Sequence, residues 1–383
     1  MIKTLTAATR ELEDGKAAAG EILSMLDLGN NLLKNSLGIV SCFSEFEETG
    51  ALKEICDSLP FECIGATTCL SAVDSEIDQV LFTLTVLTSD DCSFKTISIP
   101  ITEKYEDSIA LLLTSLLDES EEKPAFLLSY FPLINTIGGD VILTAIDQAT
   151  GGIPLFGTMA IDHLIDYSTA RTIHNGESYR EALVMGAVYG ASNFSFEIAS
   201  LNESRIRTQK AIITESSGNI LIGVNGRMAM EYLEEIGFIK EDLATGIGII
   251  PLIIDHKHGT KPVARAAFAL TPEGHVICGG TMPVNSTLSV GLVDMNDVLQ
   301  TTENTLKPLI DTSSAVLSYS CMARYLSLGA HYTAEAEKVR EIAAHATKYL
   351  FAYSNGEICP LPDENGNLKN YFHNYTIVFC SLS

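Results

Sequence analysis

The residues with the most chemistry to offer lie near the end of the chain. Cys321 and Arg324 stand three apart on the predicted first helical turn after Tyr319, and Glu357 closes the turn Tyr353-Ser354-Asn355-Gly356. An arginine fork suits a ligand carboxylate, because two parallel N–H groups meet two oxygens. The competing reading is an internal Arg324–Glu357 ion pair, since buried charges are paired as a rule. His373 and Asn374 open the predicted last strand, where they could donate to a ligand or serve as satisfied structural groups. Cys321 with His373 offers a thiol–imidazole pair for nucleophilic attack, against which stands the commoner buried, inert cysteine.

Elsewhere the chemistry thins out. Asp255-His256-Lys257-His258 has the right residue types for a metal, but it runs into Gly259-Thr260 and reads as a solvated loop, so no metal is expected. His163 and His174 are isolated. There is no G-x-S-x-G elbow, no H-E-x-x-H and no G-x-x-x-x-G-K-[ST]. Gly246-Ile247-Gly248 lacks the third glycine of a dinucleotide turn. The chain is therefore expected not to be an enzyme.

The elements that would position these residues form a repeat. Three apolar strands end in serine followed by cysteine or tyrosine: Ile39-Val40-Ser41-Cys42, Leu127-Leu128-Ser129-Tyr130 and Val316-Leu317-Ser318-Tyr319. Each leads into a helical stretch and a second strand with a glycine-containing turn: Ile64-Gly65-Ala66-Thr67-Thr68, Phe156-Gly157-Thr158 and Tyr353-Ser354-Asn355-Gly356-Glu357. Hairpin-forming strands follow, so the unit reads β-α-β-β and its recurrence indicates structural duplication. A crevice shared by these strand ends would present hydroxyls and backbone N–H groups. Its expected ligand-binding residues are Ser41, Gly65, Thr67, Ser129, Gly157, Thr158, Ser318, Cys321, Arg324, Tyr353, Gly356, Glu357, His373 and Asn374. For any one glycine, a simple turn is the competing explanation.

Apolar spacing predicts a helix near Asp14–Leu28 and a second carrying Ile109, Leu112, Leu113, Leu116 and Leu117. Strand signals lie at Gln79–Thr88, Phe94–Ile101, Ala125–Phe131, Glu181–Tyr189, Lys210–Thr214 and Ala264–Leu270, and Ser217-Gly218-Asn219 marks a hairpin. Strands joined by turns as well as helices imply α/β content with α+β topology: mixed or antiparallel sheets flanked by helices.

The 24 basic and 49 acidic residues give a formal charge of −25, which repels phosphate backbones and anionic lipid surfaces. Neither nucleic acid nor a membrane is an expected partner. No apolar run approaches the ~20 residues of a membrane span, and the N-terminus lacks a secretion h-region, so a cytoplasmic location is expected. The nine cysteines form no C-x-x-C pair and read as reduced thiols.

These segments resemble a known family. Phe61–Thr68 and Pro154–Thr158 are similar to the paired strand turns of the FIST N-terminal domain. Cys321-Met322-Ala323-Arg324, Tyr353–Ile358 and His373-Asn374-Tyr375-Thr376 are similar to the C-A-x-R, Y-x-x-G-E-I and H-N-x-T run that closes the FIST C-terminal domain. Ser217-Gly218-Asn219 with Val224–Ala229 resembles the segment bridging the two. The resemblance implies domains at 1–226 and 227–383, with the boundary good to about 15 residues. It also implies a sensory module for small ligands such as amino acids or their derivatives, signalling in trans to a separate output protein such as a histidine kinase or a cyclic-nucleotide enzyme. Some relatives bind haem, so a haem-based gas sensor is the alternative, although no cofactor is expected. The Cys321/His373 enzyme is the other.

Overall fold

The computed structural model describes residues 2–118, 122–134, 137–164, 167–191, 193–207, 209–237, 250–255, 262–343, 346–363 and 365–383. Its framework is three parallel strand pairs. Asn35–Cys42 lies beside Glu62–Thr67, Phe126–Phe131 beside Leu155–Met159, and Ala315–Cys321 beside Lys348–Ser354. Parallel neighbours require a crossover, and helices supply it in each case. A returning antiparallel strand then flanks the first member of each pair: Phe82–Ser89, Ala182–Tyr189 and Ile377–Leu382. Lys3–Thr9, Ser93–Pro100 and Phe194–Ala199 add an outer strand to each. The predicted duplication is present, three times over.

Each unit also lends a hairpin to a neighbour. The first unit's Ser71–Val73/Glu76–Asp78 hairpin pairs with Lys348–Ser354 of the third. The second unit's Thr172–His174/Glu177–Tyr179 hairpin pairs with Glu62–Thr67 of the first. The third unit's Glu357–Pro362/Leu368–His373 hairpin pairs with Leu155–Met159 of the second. The exchange is cyclic and completes three six-stranded sheets. None of the three sheets is whole without a neighbour's hairpin, so the three units form one body.

The inner sheet faces meet in a core containing Ile39, Ile64, Leu128, Phe156, Leu317 and Leu350. Near its middle the Tyr130 and Tyr319 hydroxyls share a hydrogen bond of 3.0 Å. Helices cover the outer faces, as the stripes near Asp14–Leu28 and Ile109–Leu117 predicted for the first two sheets. Ala19, Ile22 and Leu26 pack on the first sheet, Ile109, Leu113, Ile142 and Ile146 on the second, and Leu306, Ala336 and Val339 on the third. Strands covered on both sides read as continuous apolar runs, which is why Phe126–Phe131 shows no alternation and is wholly buried.

Pairing register corrects the sequence alignment of the repeats. Val40 lies opposite Gly65, Ser129 opposite Gly157, and Tyr319 opposite Ala352. Leu128, Tyr130, Leu317 and Tyr319 face the shared core, and side chains alternate along a strand, so Ser129 and Ser318 both face outward, whereas Ser41, next to the outward Val40, faces inward.

Between Phe194–Ala199 and Ala315–Cys321 the chain builds a separate antiparallel barrel. Its strand order is Ala211–Ser217, Thr287–Val290, Pro251–Asp255, Val263–Leu270, Val276–Cys278 and Ile220–Val224, closed by pairing of the last with the first. The predicted hairpin makes that closure, with Gly218 at φ 57° where a left-handed turn favours glycine. The barrel has its own core around Ile213, Leu221, Leu252 and Leu288. No helix among the described residues is long and apolar enough to cross a membrane.

Candidate functional site

The strand ends converge as expected, but they knit to one another. The Ile161 N–H donates to Thr67 O at 3.2 Å, Thr68 Oγ1 to Tyr353 O at 2.8 Å, Asn355 N–H to Met159 O at 3.1 Å and Met159 N–H to Gly356 O at 2.9 Å. The polar groups expected to line a crevice are used internally. Thr67 Oγ1 accepts from the Arg171 N–H at 2.9 Å, and Ser318 Oγ donates to Leu350 O at 2.7 Å. Thr158 Oγ1 donates to Met159 O at 3.3 Å. Ser41 and Ser129 are buried, the latter with no hydrogen-bond partner for its hydroxyl among the described residues.

Gly65 and Gly157 have a packing reason to be glycine. A Cβ on Gly65 would stand 2.0 Å from Val40 O, and one on Gly157 would stand 1.8 Å from Ser129 O. The partner strand comes too close for any side chain. Gly356 faces Phe372, whose ring a Cβ would meet at 2.2 Å. None of the three glycines lines the cavity described below.

Arg324 is placed on a helix after Cys321 as predicted, but its partner is Glu335, not Glu357. Its Nη2 donates to Glu335 Oε1 at 2.7 Å, to Thr302 Oγ1 at 2.8 Å and to Val298 O at 2.9 Å, while Nε donates to Glu335 Oε1 at 3.0 Å. Glu335 also accepts from Ser320 Oγ at 2.7 Å and from Tyr353 OH at 3.3 Å. Both charges are buried and matched. Glu357 accepts instead from Ser354 Oγ at 2.5 Å and Thr376 Oγ1 at 2.7 Å. Burial outweighs these bonds and pushes its pKa up to about 8.

The Cys321–His373 pair is likewise not formed. His373 Nε2 is bonded to Cys359 O at 3.1 Å, and burial pushes the imidazole pKa down to about 4. Burial also raises the Cys321 thiol well above its ordinary range. His373 ends a hairpin strand, and Asn374 lies in the following turn, where its Oδ1 accepts from the Ala266 N–H of the barrel at 3.3 Å. Asp255-His256-Lys257-His258 and Gly246-Ile247-Gly248 lie outside the described residues, apart from Asp255.

A cavity of ≈ 310 Å³ opens between the three-sheet body and the barrel. The body supplies Leu133, Ile134, Ile137, Gly138, Gly139, Met159, Tyr167 and Asn355, and the barrel supplies Asn219, Phe268, Ala269, Ile277, Cys278 and Gly279. The size is that of a small-molecule site. Most of the lining is apolar, and no histidine or carboxylate is part of it. Besides Asn219 and Tyr167, two polar features face it. One is the start of the helix Gly139–Thr150, whose N-cap residue Gly138 makes no side-chain cap. The other is Asn355, buried, with no hydrogen-bond partner for Oδ1 among the described residues.

Two Gly-Gly turns make this approach possible. Gly138-Gly139-Asp140 comes from the body and Gly279-Gly280-Thr281 from the barrel, and a Cβ on Gly138 would lie 3.8 Å from Gly280 Cα. Asp140 Oδ2 accepts from the Thr281 N–H at 2.8 Å and from its Oγ1 at 2.5 Å. Arg265 Nη2 stands 3.4 Å from the same oxygen, and its Nη1 donates to Phe372 O at 2.9 Å. Asp140 Oδ1 and Arg265 Nε are both buried without partners among the described residues. Sequence reasoning missed all these residues. The two Gly-Gly pairs, each followed by Asp or Thr, were the available signal.

An α/β body joined to a small barrel, with an apolar cavity at the seam, is a two-part architecture with room for a small molecule. Compared with protein families, residues 36–227 match the FIST N domain and residues 229–360 match the FIST C domain. The chain belongs to the FIST family and is a sensory module of signal transduction. No curated protein matches it significantly.

Proposed function

We propose that the chain senses a small molecule in the cavity between body and barrel, and that amino acids and related metabolites are the first class to test. The observation that carries this reading is the pairing of an uncapped helix start with the unpartnered Asn355 Oδ1 on one apolar cavity. Buried polar atoms are normally bonded, so an orphan on a cavity wall suits a ligand as its missing partner.

Signalling follows if the ligand binds one arrangement of the two walls better than another. The barrel keeps its own core and meets the body through a small cluster around Ala266, Cys321, Ala323 and Tyr375. A ligand touching both walls bears on that seam. The response would pass in trans to a separate protein, with a histidine kinase or a cyclic-nucleotide enzyme as candidates.

The test is a thermal-shift screen of metabolites on the protein and on Ala269→Trp, which fills the cavity. Saturable stabilisation of the first and not the second supports the reading. A stabilising compound indifferent to Ala269→Trp would place the site elsewhere.

A further inference from the structure

Two of the buried cysteines share the wall of a second cavity, far in sequence from the residues of the seam. Cys56 lies in the last turn of the helix Ala51–Asp57, and Cys63 lies near the start of the strand Glu62–Thr67. Both pack on the outer face of the first sheet with Phe46, Leu52 and Ile55. A surface cavity of ≈ 360 Å³ opens over them, lined also by Pro60, Phe61 and Asn175.

Glycines make room for the two side chains. Cys63 Sγ fills the space that a side chain at position 38 would need, since a Cβ on Gly38 would stand 2.6 Å from it. Gly176, at φ 78°, lies against Cys56, where its own Cβ would stand 3.0 Å from Cys56 Cβ. Asn175 brackets Cys63: its Oδ1 accepts from the Cys63 N–H at 2.8 Å, and its N–H donates to Cys63 O at 2.8 Å. The hairpin lent by the second unit thus fixes Cys63 beside Cys56. Hydrogen bonding to the Cys56 thiol, and then burial, push the Cys63 thiol well above its ordinary range. Cys56 is the more exposed of the two, at 7% against 1%. Apolar burial makes most thiols inert, but a thiol bordering an open cavity can be met by a small polar oxidant.

We infer that Cys56 and Cys63 form an oxidation site for hydrogen peroxide, with Cys56 attacking first and Cys63 closing a disulfide beneath the Asn175-Gly176 turn. In the first step the Cys56 sulfur, its proton released, bonds to one peroxide oxygen. The O–O bond breaks, the other oxygen leaves as hydroxide and takes up the released proton as water, and Cys56 becomes a sulfenic acid. In the second step the Cys63 sulfur attacks the Cys56 sulfur. The S–S bond forms, the S–O bond breaks, and the departing hydroxide combines with the Cys63 proton as a second water. Two thiols are oxidised by two electrons and one peroxide is reduced to two waters. A dithiol reductant reverses the change.

The experiment treats the reduced full chain with hydrogen peroxide, blocks free thiols with N-ethylmaleimide under denaturing conditions and digests with chymotrypsin, which cuts after Phe61, between the two cysteines. The Cys56 and Cys63 peptides are expected to remain joined until dithiothreitol is added. Cys63→Ala should lose that link and instead carry a dimedone adduct on Cys56, the mark of a sulfenic acid with no partner. Cys56→Ala should show neither the link nor an adduct on Cys63. Separate peptides in the treated wild-type chain overturn the site, and so does a link from Cys56 to Cys42, which lies in the same cluster. A dimedone adduct on Cys63 in Cys56→Ala overturns the order of attack. The wild-type digest decides the main point even if a variant fails to fold.

Discussion

Asp140 of the body takes both the backbone N–H and the hydroxyl of Thr281 in the barrel, at 2.8 and 2.5 Å, with the buried Arg265 guanidinium 3.4 Å from the same oxygen. One carboxylate thus ties the two walls of the cavity together. Desolvation lowers the Arg265 pKa, and the Asp140 charge is the main effect opposing that. Asp140→Ala leaves Arg265 uncompensated in the interior and is expected to cost about 3–5 kcal/mol in urea denaturation. Thr281→Val keeps the N–H bond and should cost about 1 kcal/mol. The double variant should fall short of the sum, because both changes act on one network. A cost below about 1 kcal/mol for Asp140→Ala would mean that the bridge does not hold the barrel.

Gly65→Ala and Gly157→Ala are expected to destabilise by about 1–3 kcal/mol or more, because the new Cβ would meet a backbone carbonyl that cannot turn away. Ala352 of the third unit, opposite Tyr319, faces the inner core instead, where a Cβ is already accommodated. Ala352→Gly should cost only about 0.5–1 kcal/mol through backbone entropy. Melting temperatures of the three variants check this, and a neutral Gly157→Ala would contradict the close approach.

What the sequence disclosed depended on how local the cause was. The parallel pairs were legible because each is a strand, a crossover and a strand in succession, and the Ser217-Gly218-Asn219 hairpin because its turn is written in adjacent residues. The hairpin exchange was not, since pairings such as Gly65 with Ile173 or Phe351 with Ala72 join segments whose complementarity is only apolar. The cavity was hidden for the same reason: Gly138 and Gly279 meet only after body and barrel have folded. Glu335 was overlooked because Ala334–Ala343 reads as a solvated helix rich in charge, yet Glu335 sits on its buried face.

The Arg324–Glu335 pair gives a prediction about stability. Arg324→Met leaves Glu335 buried with only neutral donors and is expected to cost about 3–5 kcal/mol, as is Glu335→Leu from the other side. Replacing both by Met and Leu should recover most of that loss, because matched apolar groups remove both desolvation penalties. Urea midpoints of the three variants measure it. Additive losses in the double variant would show that the two charges do not depend on each other.

Two buried groups shape the dependence of stability on pH. Glu357 has an ordinary pKa of 4.5 and a folded value of about 8, so between those limits the folded protein holds a proton that the unfolded chain has lost. Stability therefore falls as pH rises there, by about 1.4 kcal/mol per pH unit. His373 works in the other direction. Its folded pKa is about 4 against 6.5, so from pH 4 to 6.5 the unfolded chain holds the extra proton and stability rises with pH. The two contributions offset each other between pH 4.5 and 6.5, and the Glu357 fall stands alone from 6.5 to 8. Glu357→Gln should remove that fall and expose the His373 rise below pH 6.5. Urea denaturation of both proteins across pH 4–8.5 isolates the Glu357 contribution as the difference between the curves, since every other group titrates in both. A difference that stays flat from pH 6.5 to 8 would mean that Glu357 is ionised in the folded protein throughout, and that Ser354 and Thr376 stabilise its charge far better than burial penalises it.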